Sequence, residues 1–273
     1  MPEGQCPTTV GGYSQLSSTP PPRFPGHDYP QVIPQPDEVR PGRAAPWAHL
    51  EPSQRRGLTT SRVLERLGRA GRNLDGVARQ PGELAEARNA ARITRRSAVL
   101  VALFDEAGEA HVVLTRRAFF LRSHRGEIAL PGGAIDEGED PVAAALREAD
   151  EEVGLAPELV RPVAWLSPLV TFASSSAIWP IVGGLTERPR LSAQPSEVDR
   201  VFTVSLAELV AEGNFLEERW ARARPGADAE GFVPIFFYRV PGDVIWGATA
   251  RVLTELLCLV LEVPAPETTR LNP

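Results

Sequence analysis

The stretch from Gly132 to Leu155 constrains this chain more than any other, because it writes both ends of a helix with an unusual charge pattern between them. Asp140 is a good N-cap, and Pro141 fits the first helical position, where a missing N–H costs nothing. Gly154 fits the left-handed residue just past a helix end. The spacing predicts a helix over 141–153. At 100° per residue, Val142, Ala145, Leu146, Ala149 and Val153 fall on one apolar face. Glu148, Glu151 and Glu152 fall together on the other side, at spacings i, i+3 and i+4. Like charges at that spacing repel and destabilise a helix. Hard divalent cations prefer carboxylate oxygens and would offset the repulsion; a solvated acidic face is the plainer alternative. Glu139, just ahead of the helix, offers a fourth carboxylate.

The rest of the chain sorts into segments. Residues 1–46 hold eleven of the 27 prolines, including Pro20-Pro21-Pro22, and read as a disordered proline-rich tail. Such a tail is a docking segment for a polyproline-binding partner or a passive extension. Residues 47–95 read as a helical extension. One helix is expected over Ser61–Arg72 and a second from Pro81 to about Ile93. The arginines at 55, 56, 62, 66, 69 and 72 form a solvated face or touch a phosphorylated ligand.

From Ser97 the pattern turns to strands. Ala98–Phe104 and His111–Thr115 flank a turn at Asp105–Glu109 and form a hairpin. Further strands are expected at Val163–Trp165, Ala177–Leu185, Val198–Val204 and Phe232–Val240. Helical patterns recur at 205–212 and 246–261. This mixture lacks regular βαβ alternation, which argues for an α+β or layered α/β/α domain with a mixed sheet over residues 96–263. Residues 264–273 form a C-terminal tail.

The polar and glycine positions then match a known pattern. Gly133, Glu139 and the run Arg147-Glu148-Ala149-Asp150-Glu151-Glu152-Val153-Gly154-Leu155 resemble the complete Nudix box. That resemblance implies a Nudix-type α/β/α sandwich and cleavage of a nucleoside diphosphate linked to another moiety. It implies Mg²⁺ or Mn²⁺ held by Glu148, Glu152 and Glu151, with the Gly132 backbone close by. Glu151 or Glu152 then does the catalytic work, Arg147 orients a carboxylate such as Glu139, and Gly133, Glu139 and Gly154 shape the motif. Glu197 is a further candidate ligand or base.

Leu114-Thr115-Arg116-Arg117-Ala118, Arg122, His124, Gly126-Glu127 and Pro131-Gly132-Gly133 resemble the signature of coenzyme A pyrophosphatases. Arg116, Arg117 and Arg122, with Arg125, are then candidates for binding substrate phosphates. Two positions depart from that pattern. Leu130 stands where Phe is usual, and Ser174-Ser175-Ser176 stands where a Ser-Gly-aromatic element is expected. The activity implied is hydrolysis of coenzyme A or acyl-coenzyme A. Alternatives are ADP-ribose, NADH or oxidised deoxynucleoside triphosphates as substrate, or a non-catalytic binding protein on the same scaffold.

Bulk properties narrow the partners. A net charge of −6 argues against a general nucleic-acid binder, so the expected partner is a small nucleotide. The longest apolar run, Val252–Val263, is too short to span a bilayer and contains Glu255 and Glu262. Cys6 and Cys258 give no disulfide framework, and a reducing cytoplasmic compartment fits them. Cys258 is expected to be packed in a core. Trp165, Trp179, Trp220 and Trp246 are core residues or stacking platforms. Many proteins carrying these motifs are homodimers; no residue of this sequence marks an interface.

Overall fold

The computed structural model describes residues 31, 33–34, 36–74, 95–171, 176–221 and 230–266. The expected second helix at 81–93, the first thirty residues and most of the C-terminal tail lie outside them.

Two long strands form the spine. β2 (Arg95–Glu106) and β3 (Glu109–Arg117) make the predicted hairpin, with Glu106 opposite Glu109. Its two turn residues, Ala107 and Gly108, both take positive φ (52° and 80°), the geometry that matches strand twist. β2 also pairs in parallel with β8 (Ser176–Gly184), while β8 pairs antiparallel with β6 (Arg161–Trp165) and β7 (Leu169–Thr171). β4 (Ile128–Ala129) and β9 (Val198–Ser205) pair with β3, and β5 (Gly132–Ala134) pairs with β2. One parallel pair among antiparallel ones makes the sheet mixed, as expected.

The sheet separates two cores. On one face Ala98, Leu100 and Phe104 meet Ala144, Ala145, Ala149 and Val153 of α2 (Pro141–Val153). On the other, Val101, Leu103, Val112 and Leu114 meet α1 (Thr60–Arg69) and α4 (Gly247–Leu261). Cys258 is buried there, as expected. Helices on both faces of a mixed sheet give the predicted α/β/α layering.

Three features differ from the expectation. First, the tail boundary at 46 moves. β1 (Val39–Pro41) pairs with β10 (Phe215–Ala221), Ile33 is fully buried, and the Gln31 side chain both donates to and accepts from the Val244 backbone at 2.8 Å. Buried Ile33 and Trp47 repay the ordering cost that proline-rich composition alone did not suggest. Second, β1, β10, β11 (Phe232–Val240) and β12 (Asp243–Trp246) form a separate antiparallel sheet. Only β11 was legible, because Glu217, Glu218 and Arg219 make β10 read as polar, and β12 directly abuts a helix. Third, the helix expected at 205–212 is a single turn, α3 (Leu206–Leu209). Ser205 caps its start, and Asn214 Nδ2 donates to the Glu208 carbonyl at 2.8 Å, sealing its end.

Candidate active site

The α2 helix is placed by its ends. The Asp140 carboxylate accepts from the N–H groups of Val142 and Ala143, and Gly154 closes the helix at φ +66°. Its observed limits are those read from the sequence. Its apolar face docks on β2 and β5, which carries Glu148 and Glu152 to the Gly132-Gly133 strand.

The fit there is close. A Cβ at Gly133 would lie 2.3 Å from the Glu148 carboxylate, and one at Gly132 would lie 2.3 Å from the Ala98 carbonyl oxygen. Only glycine lets this backbone and these carboxylates share the space. Gly132 N–H donates to Glu152 Oε2 at 3.1 Å. Arg117 Nη1 stands 4.0 Å from Glu152 Oε1.

The electrostatics follow from that packing. Glu152 is only 5% exposed, so it sits toward the core rather than on an open acidic face. Burial pushes its carboxyl up to about 7, against the Gly132 hydrogen bond and Arg117, and Glu148 and Glu197 add to the push. Burial also raises Glu148, although the Arg147 guanidinium opposes it. Glu151 differs: its side chain is 61% exposed. The expected trio is therefore a pair plus an outlier, because position 151 lies on the solvent side of the helix. Among the described residues, no three acidic, His or Cys side chains gather tightly enough to hold a cation by themselves.

Arg147 is the tie between loop and helix. It forks onto Glu139, with Nε to Oε1 and Nη2 to Oε2 both at 3.0 Å. It also reaches Glu148 Oε1 at 2.9 Å, the Ala134 carbonyl at 2.9 Å and Glu151 Oε2 at 3.4 Å. The Arg147 hydrogen bonds hold the Glu139 carboxyl below its ordinary range. Glu139 in turn accepts from the Asp136 N–H at 3.0 Å, fixing the loop ahead of the helix.

The phosphate-binding candidates separate. Arg116 is engaged: Nε donates to Asp199 at 2.7 Å and Nη1 to Asp243 at 3.2 Å. Asp243 is 0% exposed and also accepts from Arg200 at 2.6 Å. This cluster corrects the reading of Arg116 as an open cation for a phosphate. Asp243 lies far along the chain on β12, a strand the pattern did not reveal, so no local signal linked the two. Arg122 and Arg125 are exposed on the β3–β4 loop. Glu197 lies beside that loop, where its carbonyl accepts from Ala118 N–H at 2.8 Å.

The two departures also resolve differently. Leu130 is buried in the main core, where an aliphatic side chain takes the space as packing. Residues 172–175 lie outside the described part, and Ser176 contacts Ser97 through the two hydroxyls at 3.2 Å.

Known proteins share this stretch of sequence. The model of the NUDIX domain matches residues 94–224. Nudix hydrolase 22 of Arabidopsis thaliana, named as chloroplastic, is 35% identical over 177 residues, covering 62% of this chain and 57% of that protein. The chain thus spans less than three-fifths of that relative's length. The uncharacterised Nudix hydrolase NudL of Cronobacter sakazakii is 34% identical, covering 62% of this chain and 85% of that protein. Nudix hydrolase 3 of Caenorhabditis elegans is 31% identical, covering 59% and 72%. With the box residues assembled around one helix and relatives matched over most of their length, the chain belongs to the Nudix hydrolase family.

Proposed function

We propose that this protein is a Mg²⁺- or Mn²⁺-dependent hydrolase of the diphosphate bond in coenzyme A or acyl-coenzyme A. The products are 3′,5′-ADP and 4′-phosphopantetheine or its acyl form. The observation that carries the reaction class is the pairing of Glu148 and Glu152 against the Gly132-Gly133 backbone, with Arg117 at its edge.

The residues fit a hard divalent cation. Two carboxylates are forced together at a glycine cradle, and each is destabilised as an anion by burial. Mg²⁺ characteristically takes one or two carboxylates and completes its shell with water and substrate phosphates, so a pair suffices. Glu148 and Glu152 would hold the cation, with the Gly132 backbone as a further donor. Once bound, it supplies charge neutralisation at the diphosphate oxygens and a lower pKa for an attacking water.

The other roles belong to the chain. Arg147 and Glu139 hold the helix and loop in register, so the carboxylates need no reorganisation when substrate arrives. Glu151, exposed, beyond the buried pair and held among the described residues only by the 3.4 Å contact from Arg147, is the carboxylate that accepts a proton from water. Arg117 faces the diphosphate. Arg122 and Arg125 supply cations for the 3′-phosphate that distinguishes coenzyme A from ADP-ribose. The likeness of residues 114–133 to the coenzyme A pyrophosphatase signature supports this substrate. A reducing cytoplasmic compartment suits a chain with two widely spaced cysteines.

The test is kcat/KM in saturating Mg²⁺ for coenzyme A, dephospho-coenzyme A and ADP-ribose. A clear preference for coenzyme A is expected. Equal or better turnover of ADP-ribose would reassign the substrate to another nucleoside diphosphate derivative. No turnover across a broad diphosphate panel would leave a binding protein.

A further inference from the structure

The β3–β4 loop carries two phenylalanines that do different things. It starts at Arg117, beside Glu152, and is closed at its base by backbone hydrogen bonds. Arg117 N–H donates to the Glu127 carbonyl at 3.0 Å, and Gly126 N–H donates to the Arg117 carbonyl at 3.1 Å. His124 Nδ1 and Glu127 Oε2 stand 2.9 Å apart and brace the returning limb. Leu121 N–H donates to the Ala118 carbonyl at 3.3 Å, which makes residues 118–121 a turn with Phe119 and Phe120 at its corner.

Phe119 is committed to the loop. Its ring lies against Gly126, where a Cβ would approach within 2.4 Å, and the Arg116 guanidinium stands 5.6 Å from the ring centre. Arg116 is itself locked by Asp199 and Asp243, so Phe119 is held on both sides. Phe120 has no such role: it is 69% exposed, the most exposed large apolar side chain among the described residues. A ring on a fixed turn offers apolar area that a flat partner surface can bury with little further loss of side-chain freedom.

The place of this ring suggests its partner. Phe120 is three residues from Arg117, which limits it to about 11 Å from that residue along the chain. The exposed Arg122 follows two residues later, and neither it nor Arg125 forms an ion pair among the described residues. An apolar ring next to open cations, on the same short loop as Arg117, suits a nucleotide with a flat base and a further phosphate. We infer that Phe120 is a substrate-specificity residue that stacks on the aromatic base of the nucleotide, with Phe119 as the fixed support behind the turn. This rests on the proposed diphosphatase function and adds the part of the substrate that the metal face does not touch.

Direct binding tests it apart from turnover. Titration calorimetry compares adenosine 3′,5′-bisphosphate with base-free ribose 5-phosphate on the full-length protein, its Phe120→Ala variant and its Phe120→Trp variant. Phe120→Ala should weaken the bisphosphate by ~10-fold, leave ribose 5-phosphate affinity unchanged and raise KM more than it lowers kcat. Phe120→Trp should restore binding. Unchanged bisphosphate affinity in Phe120→Ala, with diphosphatase activity present in the wild type, would overturn the stacking role and leave the function intact. Sedimentation velocity covers the rival use of the ring: a wild-type dimer that Phe120→Ala converts to monomer at unchanged nucleotide affinity also overturns it. A wild type that neither binds the bisphosphate nor cleaves any diphosphate would sink the functional reading and this one together.

Discussion

The Glu148 carboxylate occupies the space that any side chain at Gly133 would need, with 2.3 Å separating Oε2 from the position of such a Cβ. Gly133→Ala therefore has to displace Glu148. A displacement near 1 Å at a catalytic group costs about 100-fold in rate. We expect kcat to fall by that order while the circular dichroism spectrum and thermal midpoint stay close to wild type. Retained activity would mean that Glu148 has no fixed position to lose.

The raised Glu152 carboxyl predicts how stability varies with pH in the cation-free protein. Its folded value of about 7 lies above the ordinary 4.5 of an exposed glutamate. The folded state therefore binds the proton more tightly than the unfolded state. This contribution is fully present below about pH 4.5 and is lost as pH rises through 7, amounting to roughly 3 kcal/mol at most. In EDTA, the wild type should lose stability across that window relative to Glu152→Gln, which has no proton to release there. Parallel curves for the two proteins would refute the shift. The same substitution should remove most turnover in Mg²⁺.

Arg116 and Arg122 should part company under mutation. Arg116 is paired with a fully buried aspartate, and removing one member of a buried pair typically costs 3–5 kcal/mol. Arg116→Ala is expected to lower stability by about 2 kcal/mol, discounted because Asp243 keeps its ion pair with Arg200. Arg122→Ala should leave denaturant midpoints within about 0.5 kcal/mol and raise KM for coenzyme A severalfold. Urea melts and steady-state kinetics on both variants decide it; a KM effect confined to Arg116 would reverse the assignment.

The N-terminal segment that begins at Gln31 should contribute measurably to stability. Ile33 is fully buried with Trp220, Val233, Phe237 and Val244, and burying such a side chain contributes about 1.5–3 kcal/mol. Extending a deletion from residue 30 to residue 46 also removes the β1 ladder and the Gln31 pairing with Val244. We expect the longer deletion to be less stable than the shorter one by at least ~3 kcal/mol in chemical denaturation. Equal stability would show that the strand is decoration.

How much of this was written in the sequence depended on range. The α2 limits were legible to the residue, because Asp140, Pro141 and Gly154 act within one turn of the ends they set. The β2–β3 hairpin was legible for the same reason. The different fates of Glu148 and Glu151 were only half legible: helical periodicity groups them, but the depth of the Gly132-Gly133 strand decides which enters. Asp243 was not legible, since its partners Arg116 and Arg200 come from β3 and β9 of the other sheet. The separate four-stranded sheet failed for a related reason. β10 reads as charged until β1 is known to lie against it, and β1 reads as a tail until β10 is known to be there.

That last dependence fixes an order of events in time. Gln31 and Val244 are 213 positions apart, yet their groups pair directly. At about 5–20 residues per second, a ribosome that has just released Gln31 needs roughly 10–40 seconds to make its partner. The first described segment to be synthesised is therefore among the last that can dock, and β10, β11 and β12 must find one another before it has a place to go.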